Sequence, residues 1–231
     1  MVLSPVTVPA TGRTALLAGA TGLVGRALAR EIAASERYQT LHLLLRRRVP
    51  DFDDEPKIQP HEVDLAALPD PLPVAEDIYI AVGTTLKQAG SKQAFRRVDF
   101  DLVFTIASKA RAAGGRRLAV VSALGADAGS RIFYNRVKGE MEAALSKLNY
   151  DSVVFAQPSL LLGDRVALGQ PVRLGEAWAQ RLLGPLSGLL PARARPIRAV
   201  DVAAAMVTAT LEARPGVHVL ASRDMQHARV V

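Results

Sequence analysis

Hydrophobic residues along the chain form short continuous runs, and these alternate with stretches in which apolar positions recur every three or four residues. Short apolar runs of this kind are typical of strands that are buried on both faces of a sheet. The runs are ALLAG (15–19), LHLLL (41–45), DIYIAV (77–82), RLAVVSA (117–123), DSVVFA (151–156) and VHVLA (217–221). Because they alternate with helical patterns, the sequence predicts an α/β fold, a doubly wound parallel sheet with helices on both faces.

Three of the intervening stretches have the periodicity of helices packed on a sheet. In the first, apolar positions recur at steps of three or four residues and end before Gly114-Gly115, where a helix C-cap belongs. These positions are Phe95, Val98, Leu102, Ile106 and Ala110. The second helix is predicted from about residue 132 to 148 and the third from about 200 to 214. A Pro- and acid-rich segment follows LHLLL to about Pro73, and no regular element is predicted there.

The length of 231 residues fits a single domain spanning 1–231. The segment from about 163 to 196 breaks the alternation with many Gly, Pro and Leu residues, and we interpret it as a small substrate-side cap. It holds the only tryptophan, Trp178, which either anchors the cap on the core or lines an apolar pocket.

The chain has an excess of positive charge, +7 from 29 Lys and Arg against 22 Asp and Glu. The arginines group at 46–48 and in PARARPIR (191–198), without the interleaved aromatic residues that stack on nucleic-acid bases. We therefore expect a phosphate-bearing small ligand rather than nucleic acid. For PARARPIR we expect a solvated surface, the alternatives being that it guides an anionic substrate or contacts a partner. With no cysteine, thiolate catalysis is excluded and any redox chemistry requires a cofactor.

Neither a membrane span nor a metal site is indicated by the sequence. No apolar run reaches the roughly 18 residues that a transmembrane helix needs, and residues 1–13 lack a basic segment followed by an apolar core. A cytoplasmic location is therefore expected. The four histidines have no metal-binding spacing, and the acidic cluster at residues 51–55 adjoins prolines and is interpreted as a solvated loop.

A glycine-rich stretch, GATGLVG, lies between the first predicted strand and a helical pattern. Glycine permits a sharp turn and close approach to a ligand, while the helix N-terminus offers N–H groups and a positive dipole end to a pyrophosphate. In this context the motif predicts dinucleotide binding rather than a bare turn. The residues assigned to the cofactor here are Gly19, Thr21, Gly22, Leu23, Val24 and Gly25.

The residues after the next strand bear on the choice between NAD and NADP. An acidic residue at this place holds the ribose hydroxyls of NAD, whereas here the strand LHLLL is followed by three arginines. Arginine pairs with a 2′-phosphate through a fork of N–H donors, so Arg46, and Arg47 beside it, predict NADP in preference to NAD. The alternative is that these arginines only solvate a loop.

Tyr134 and Lys138 are four residues apart on a predicted helix, so their side chains share one face. A nearby ammonium lowers the pKa of a phenol, which suits Tyr134 to general acid or base catalysis, and Lys138 is expected to bind the nicotinamide ribose as well. Ser122 ends a predicted strand and is the candidate for polarising a substrate carbonyl. An amphipathic helix with an exposed lysine is the alternative for the Tyr-x-x-x-Lys pair.

The ordered motifs GATGLVG, AVGTT (81–85), VVSALGAD (120–127), YNRVK (134–138) and ARPIRAVDVAAAM resemble the extended or atypical short-chain dehydrogenase/reductases. Within them, AVGTTLKQAG and SALGAD…YNRVKGEME are similar to the Tat-interacting-protein-like NAD(P)H-binding oxidoreductases. The resemblance covers nearly the whole chain from about Thr14.

The resemblance implies a Rossmann fold and further cofactor contacts. Gly83 and Thr84 would lie beside the cofactor, Asp64 and Leu65 near the adenine, and Pro158, Ser159 and Leu160 by the nicotinamide. Ser122, Tyr134 and Lys138 match the catalytic positions of the family. Gln157 departs from the family, many of whose extended members have Arg there, and the short C-terminal portion makes sugar epimerisation less expected.

The leading hypothesis is an NADPH-dependent reductase in which Tyr134 donates a proton to a small carbonyl substrate, supported by Lys138 and Ser122. The alternative is an NADP(H)-binding sensor with little turnover, and a weaker third is a nucleic-acid-binding protein. A small-molecule substrate is expected, with neither nucleic acid nor membrane as partner. A homo-oligomer or a protein partner is left open.

Overall fold

The computed structural model describes residues 12–162 and 195–226, and its core is a seven-stranded parallel sheet. The sheet strands are β1 (Arg13–Ala18), β2 (Tyr38–Leu45), β3 (Ile58–Glu62), β4 (Asp77–Ile80), β5 (Arg117–Val121), β6 (Ser152–Gln157) and β9 (Gly216–Ala221). Their order is β3-β2-β1-β4-β5-β6-β9. A separate two-stranded parallel pair joins β7 (Leu161–Leu162) to β8 (Ile197–Arg198). The doubly wound α/β prediction is confirmed.

Helices cover the two faces of this sheet. They are α1 (Leu23–Ala34), α2 (Leu86–Ala89), α3 (Lys92–Arg96), α4 (Val103–Ala112), α5 (Phe133–Leu145), α6 (Ala199–Glu212) and α7 (Ser222–Met225). No helix in the described ranges is long and apolar enough to span a bilayer. The single helix predicted over 95–110 is divided, because a π-helical turn at Arg97–Leu102 separates α3 from α4.

Neighbouring side chains of each buried strand enter two different cores. Leu17 packs with α1 and α6, whereas Leu16 packs on the opposite face with α4 and α5. Both leucines are fully buried, and each burial stabilises the fold by roughly 1.5–3 kcal/mol. The need to fill both faces explains why these strands are continuously apolar.

Strand β3 lies in the Pro- and acid-rich segment where the sequence predicted no regular element. It pairs with β2 at the edge of the sheet, and Pro60 stands opposite Leu43. An edge strand tolerates proline because one side of its backbone needs no ladder partner. The segment IQPHE has low hydrophobicity, so a search for buried apolar runs does not detect it as a strand.

A buried polar network joins the strands at the amino-terminal edge of the sheet. Asp77 is fully buried, accepts a hydrogen bond from Tyr38 Oη at 2.8 Å, and is ion-paired to Arg117. The hydroxyls of Tyr38 and Tyr79 are 2.7 Å apart. Burial, with the charge of Asp77, raises the pKa of both phenols, so both remain protonated donors. Every charge in this network therefore has a partner.

Most of the predicted cap lies outside the described residues. This holds for residues 163–194, including Trp178 and the first half of PARARPIR. In the described half, Arg198 is exposed and pairs with Asp201 at 2.6 Å.

Candidate functional site

The sheet order reverses direction between β1 and β4, and the loops at their carboxyl ends meet there. In open parallel α/β sheets, ligands bind in the crevice at this switch point. The glycine stretch follows β1, and the segment Ala81–Thr85 follows β4. The fold thus brings the two loops assigned to a cofactor to the same edge.

The glycine loop is folded so tightly that two of its glycines admit no side chain. Gly19 has φ +91°, and a Cβ there would lie 2.6 Å from the carbonyl carbon of Ala81. A Cβ on Gly25 would lie 2.0 Å from the carbonyl oxygen of Gly19. A Cβ on Gly22, in contrast, would be 3.4 Å from the same oxygen, an ordinary contact. The folded loop therefore requires glycine at positions 19 and 25 for steric reasons. At position 22, glycine would be required only to make room for a ligand.

Helix α1 starts directly from this loop and presents a free amino-terminal end. Gly22 is the N-cap, no side chain caps it, and the first turn has no acidic residue. The N–H groups of Leu23, Val24 and Gly25 have no acceptor within the helix. Together with the helix dipole they form a binding site for an anion such as a pyrophosphate.

A cleft of about 610 Å³ lies beyond the carboxyl ends of β2 and β3. Arg46, Asp64 and Leu65 line it, together with Glu62, Val63 and Ala66. Arg48 is engaged by Asp53 at 3.0 Å, whereas Arg46 and Arg47 are exposed and form no ion pair within the part of the chain that the structure describes. Of the three arginines, Arg46 is the one placed in the cleft with its guanidinium available.

Lys138 is buried on α5 and is ion-paired. Its side chain is 4% exposed, and its Nζ lies 2.8 Å from Oδ1 of Asp99, which is 1% exposed. The other oxygen of Asp99 accepts the Thr84 N–H at 2.8 Å. A Cβ on Gly83 would lie 3.8 Å from Lys138 Nζ, so the ammonium sits against the loop after β4. The alternative of an exposed lysine is wrong.

Tyr134 lies one helical turn before Lys138 and is partly buried. Its ring packs on the fully buried Phe95, with ring centroids 5.3 Å apart, and Phe133 packs on Phe95 at 5.9 Å. The aromatic contact restrains the ring while the residue keeps access to solvent.

Ser122 is 5% exposed, and its hydroxyl makes no well-formed hydrogen bond with the described residues. It lies near enough to Glu142 to favour the charged form of that carboxyl. Gln157 Nε2 donates to the two oxygens of Glu142 at 3.0 and 3.1 Å. Burial nevertheless raises the pKa of Glu142, against the effects of Ser122, Gln157 and the Lys138 charge. Gln157, which stands where many extended members of the family have arginine, thus binds the carboxylate that lies beside Ser122.

The connection from β6 to β7 consists of Pro158, Ser159 and Leu160. The Pro158 carbonyl accepts the Leu124 N–H, and the Leu160 carbonyl accepts the Ile197 N–H. The Ser159 hydroxyl donates to the Arg195 carbonyl and accepts from Ser222. This segment is held in place at the carboxyl edge of β6, but the Ser159 hydroxyl is already engaged.

Two residues of this site were missed by sequence reasoning, Asp99 and Glu142. Tyr134, Lys138 and Glu142 follow one another at four-residue steps, so the helical row could have revealed Glu142. Asp99 had no such signal, because the π-helical turn that places it breaks the period. The pairing of His42 with His61, 2.9 Å apart on neighbouring strands, was also missed.

These residues fit a nicotinamide dinucleotide. A glycine cradle at the switch point suits the pyrophosphate, and a buried ammonium with a hydroxyl that lacks a well-formed hydrogen bond suits the nicotinamide end. Within residues 12–162 and 195–226, no group of three or more His, Asp or Glu side chains is arranged to hold a metal ion.

Comparison with known proteins agrees with this architecture. Residues 19–156 match the model of a family described as NAD(P)H-binding. The chain is 33% identical over 183 residues to the protein FMP52, mitochondrial, of Candida albicans, covering 73% of this chain and 80% of that protein. It is 32% identical over 179 residues to the rat protein HTATIP2, covering 75% and 72%.

Among solved structures, an oxidoreductase of the short-chain dehydrogenase/reductase family from Burkholderia thailandensis superposes with a TM-score of 0.71. It is 20% identical and covers 93% of each chain, which shows a shared fold.

The expected cytoplasmic location is wrong, because relatives that share about a third of their residues with this chain are named mitochondrial. The prediction failed because it sought the basic and apolar segments of a secretory signal. Mitochondrial targeting segments are amphipathic and arginine-rich, and do not show that pattern.

Proposed function

We propose that this chain, which belongs to the family described as NAD(P)H-binding, is an NADPH-dependent oxidoreductase of the short-chain dehydrogenase/reductase type that reduces a small carbonyl compound. The observation that carries the proposal is the Lys138 ammonium, buried against the loop after β4, with Tyr134 one turn away on the same helix. A lysine is seldom buried without a partner or a function. A role at the nicotinamide ribose is supported by its contact with the loop after β4, because that loop begins at the switch point where dinucleotides bind.

The proposed reaction assigns each residue one task. The N–H groups at the start of α1 bind the pyrophosphate, and Lys138 donates to the ribose hydroxyls. NADPH, when bound, supplies the hydride to the carbonyl carbon. Tyr134 donates its phenolic proton to the carbonyl oxygen, which yields an alcohol, and Ser122 polarises the same oxygen.

The preference for NADPH is supported by Arg46, which lines the cleft with Asp64 and has no ion pair within the described ranges. An arginine bound to a 2′-phosphate contributes a charge-assisted hydrogen bond, so Arg46→Ala is expected to weaken NADPH binding by about 10- to 100-fold. NADH binding should change little. Arg48→Ala, which removes an arginine already paired with Asp53, is the matched control. An equal loss for both cofactors in the Arg46 variant would contradict the assignment.

The proposal is tested by NADPH oxidation with a panel of small aldehydes, ketones and quinones, comparing wild type with Tyr134→Phe. Energy transfer from Trp178 to NADPH first establishes that both proteins bind the cofactor. Tyr150→Phe is the matched control, since it also removes a phenolic oxygen. Tyr150 lies just before β6, and its hydroxyl donates to the Ala107 carbonyl. Turnover should be lost only in the Tyr134 variant.

A second candidate function, an NADP(H) sensor with little turnover, is favoured by the surroundings of Ser122. Its hydroxyl is buried and near the Glu142 carboxyl, an acceptor that competes with a substrate oxygen for the serine proton. Tight NADPH binding without oxidation of NADPH by any compound of the panel, in wild type and Tyr134→Phe alike, would support the sensor. A protein partner would then be sought by comparing complexes with and without NADPH.

A further inference from the structure

The burial of Lys138 raises a question that its proposed task does not answer. With its side chain 4% exposed, the ammonium has lost nearly all contact with bulk water. A buried ammonium is costly unless an opposite charge and hydrogen bonds replace its hydration. A neutral amine at this place would be a weaker donor to the cofactor. Something in the fold must therefore keep Lys138 charged.

Asp99 supplies that charge from a different element. Its carboxylate lies 2.8 Å from Lys138 Nζ through one oxygen and accepts the Thr84 N–H at 2.8 Å through the other. The residue belongs to the π-helical turn Arg97–Leu102, whose wider backbone interrupts the α-helical period at this point. One side chain thus joins α5 to the loop after β4.

The other ionisable groups facing Lys138 are few. On the same helix, Glu142 lies close enough to interact electrostatically with Lys138, but its carboxylate oxygens accept hydrogen bonds from the Gln157 amide. Tyr134 is one turn away. The loop after β4 contributes Gly83 and Thr84, neither of which ionises. Asp99 is the only ion-pair partner of Lys138 within residues 12–162 and 195–226.

We propose that Asp99 is the positioning residue of Lys138: it keeps the buried lysine charged and holds the ammonium against Gly83 and Thr84, ready to bind the nicotinamide ribose. The inference rests on the proposed cofactor role of Lys138. It assigns to Asp99 no contact with cofactor or substrate. Its consequence is that cofactor affinity depends on pH only when Asp99 is lost.

The test is the NADPH affinity of wild type, Asp99→Asn and Lys138→Met, measured by calorimetry at about pH 5.5 and about pH 9.5 and expressed at each pH relative to wild type. Desolvation lowers the pKa of a buried lysine that has no counter-charge by up to about 3–5 units, so this range spans the loss of its proton. Asp99→Asn should bind nearly as wild type at the lower pH and about 10- to 100-fold more weakly at the higher, where Lys138 without Asp99 has lost its proton. Lys138→Met should be weak at both. Asp101→Asn, an exposed acid in the same turn, is the matched control.

The outcomes separate this inference from the proposed function. If wild type binds no NADPH, the proposed function falls and the inference falls with it. If wild type binds but Asp99→Asn shows the same affinity ratio to wild type at both pH values, only the inference is overturned, because a purely structural loss would not depend on pH.

If Asp99→Asn does not fold, the same measurement is made on Asp99→Glu, which keeps the carboxylate. It is expected to fold and to bind NADPH independently of pH, and weakening at the higher pH would overturn the inference.

Discussion

Replacing Gly25 with alanine should distort the glycine loop even in the absence of cofactor. The added Cβ would lie 2.0 Å from the Gly19 carbonyl oxygen and 2.7 Å from its carbonyl carbon. Both are backbone atoms, so no side chain can rotate away, and the loop or the start of α1 must shift by about 1 Å to restore a van der Waals contact.

The expected cost follows from two opposing effects. Overpacking a site that cannot relax costs about 3 kcal/mol, at the upper end of its usual range. Gly25 is the third residue of α1, where alanine is favoured over glycine by about 1 kcal/mol. The net destabilisation is about 2 kcal/mol, which for a chain of this length lowers Tm by roughly 4–8 °C.

The assay is thermal unfolding without cofactor, followed by NADPH titration, for Gly25→Ala and Gly22→Ala. Gly22→Ala is the matched control, since its Cβ meets the same oxygen at an ordinary 3.4 Å. It should lose about 1 kcal/mol or less in stability, as an N-cap change does. It should nevertheless bind NADPH weakly, because a methyl group at this position of the motif would keep a pyrophosphate from approaching the backbone. Equal Tm losses in the two variants, or none in Gly25→Ala, would refute the steric reasoning.

Two further predictions concern the sheet. Asp77→Asn removes the buried counter-charge of Arg117 and leaves it only the half-exposed Glu76, so it should cost about 3–5 kcal/mol in the free energy of unfolding measured with urea. Asp151→Asn, at an exposed pair, should change that free energy by less than about 1 kcal/mol. Similar effects of the two would contradict a buried ion pair. Burial lowers the pKa of His42 and of His61, so the unfolded chain binds more protons, and Tm should fall as the pH drops below about 6.5. His61→Gln should make Tm depend less on pH in this range. An unchanged dependence would show that the loss of stability at low pH does not come from this histidine pair.

The fold class and the position of the glycine loop could be predicted from the amino-acid sequence. Both rest on local signals: apolar runs that must be buried on two faces, and glycines between a strand and a helix. The helical spacing of Tyr134 and Lys138 was also local, since residues four apart share a face whatever surrounds them. Strand β3 was missed because an edge strand needs no apolar run to be held by its neighbour.

The pairing of the buried charges could not be predicted from the sequence, because it depends on how distant elements pack. Asp99 and Lys138 are 39 positions apart in sequence, and their contact depends on a π-helical turn and on the packing of α5 beside the loop after β4. The same holds for Asp77 with Arg117, which the pairing of β4 with β5 brings together, and for Gln157 with Glu142, which meet where α5 lies beside the end of β6. Hydrophobic periodicity in a sequence indicates which positions are buried. A buried charged residue, in contrast, is stabilised by one particular partner, and partners that meet across a sheet have no regular spacing along the chain.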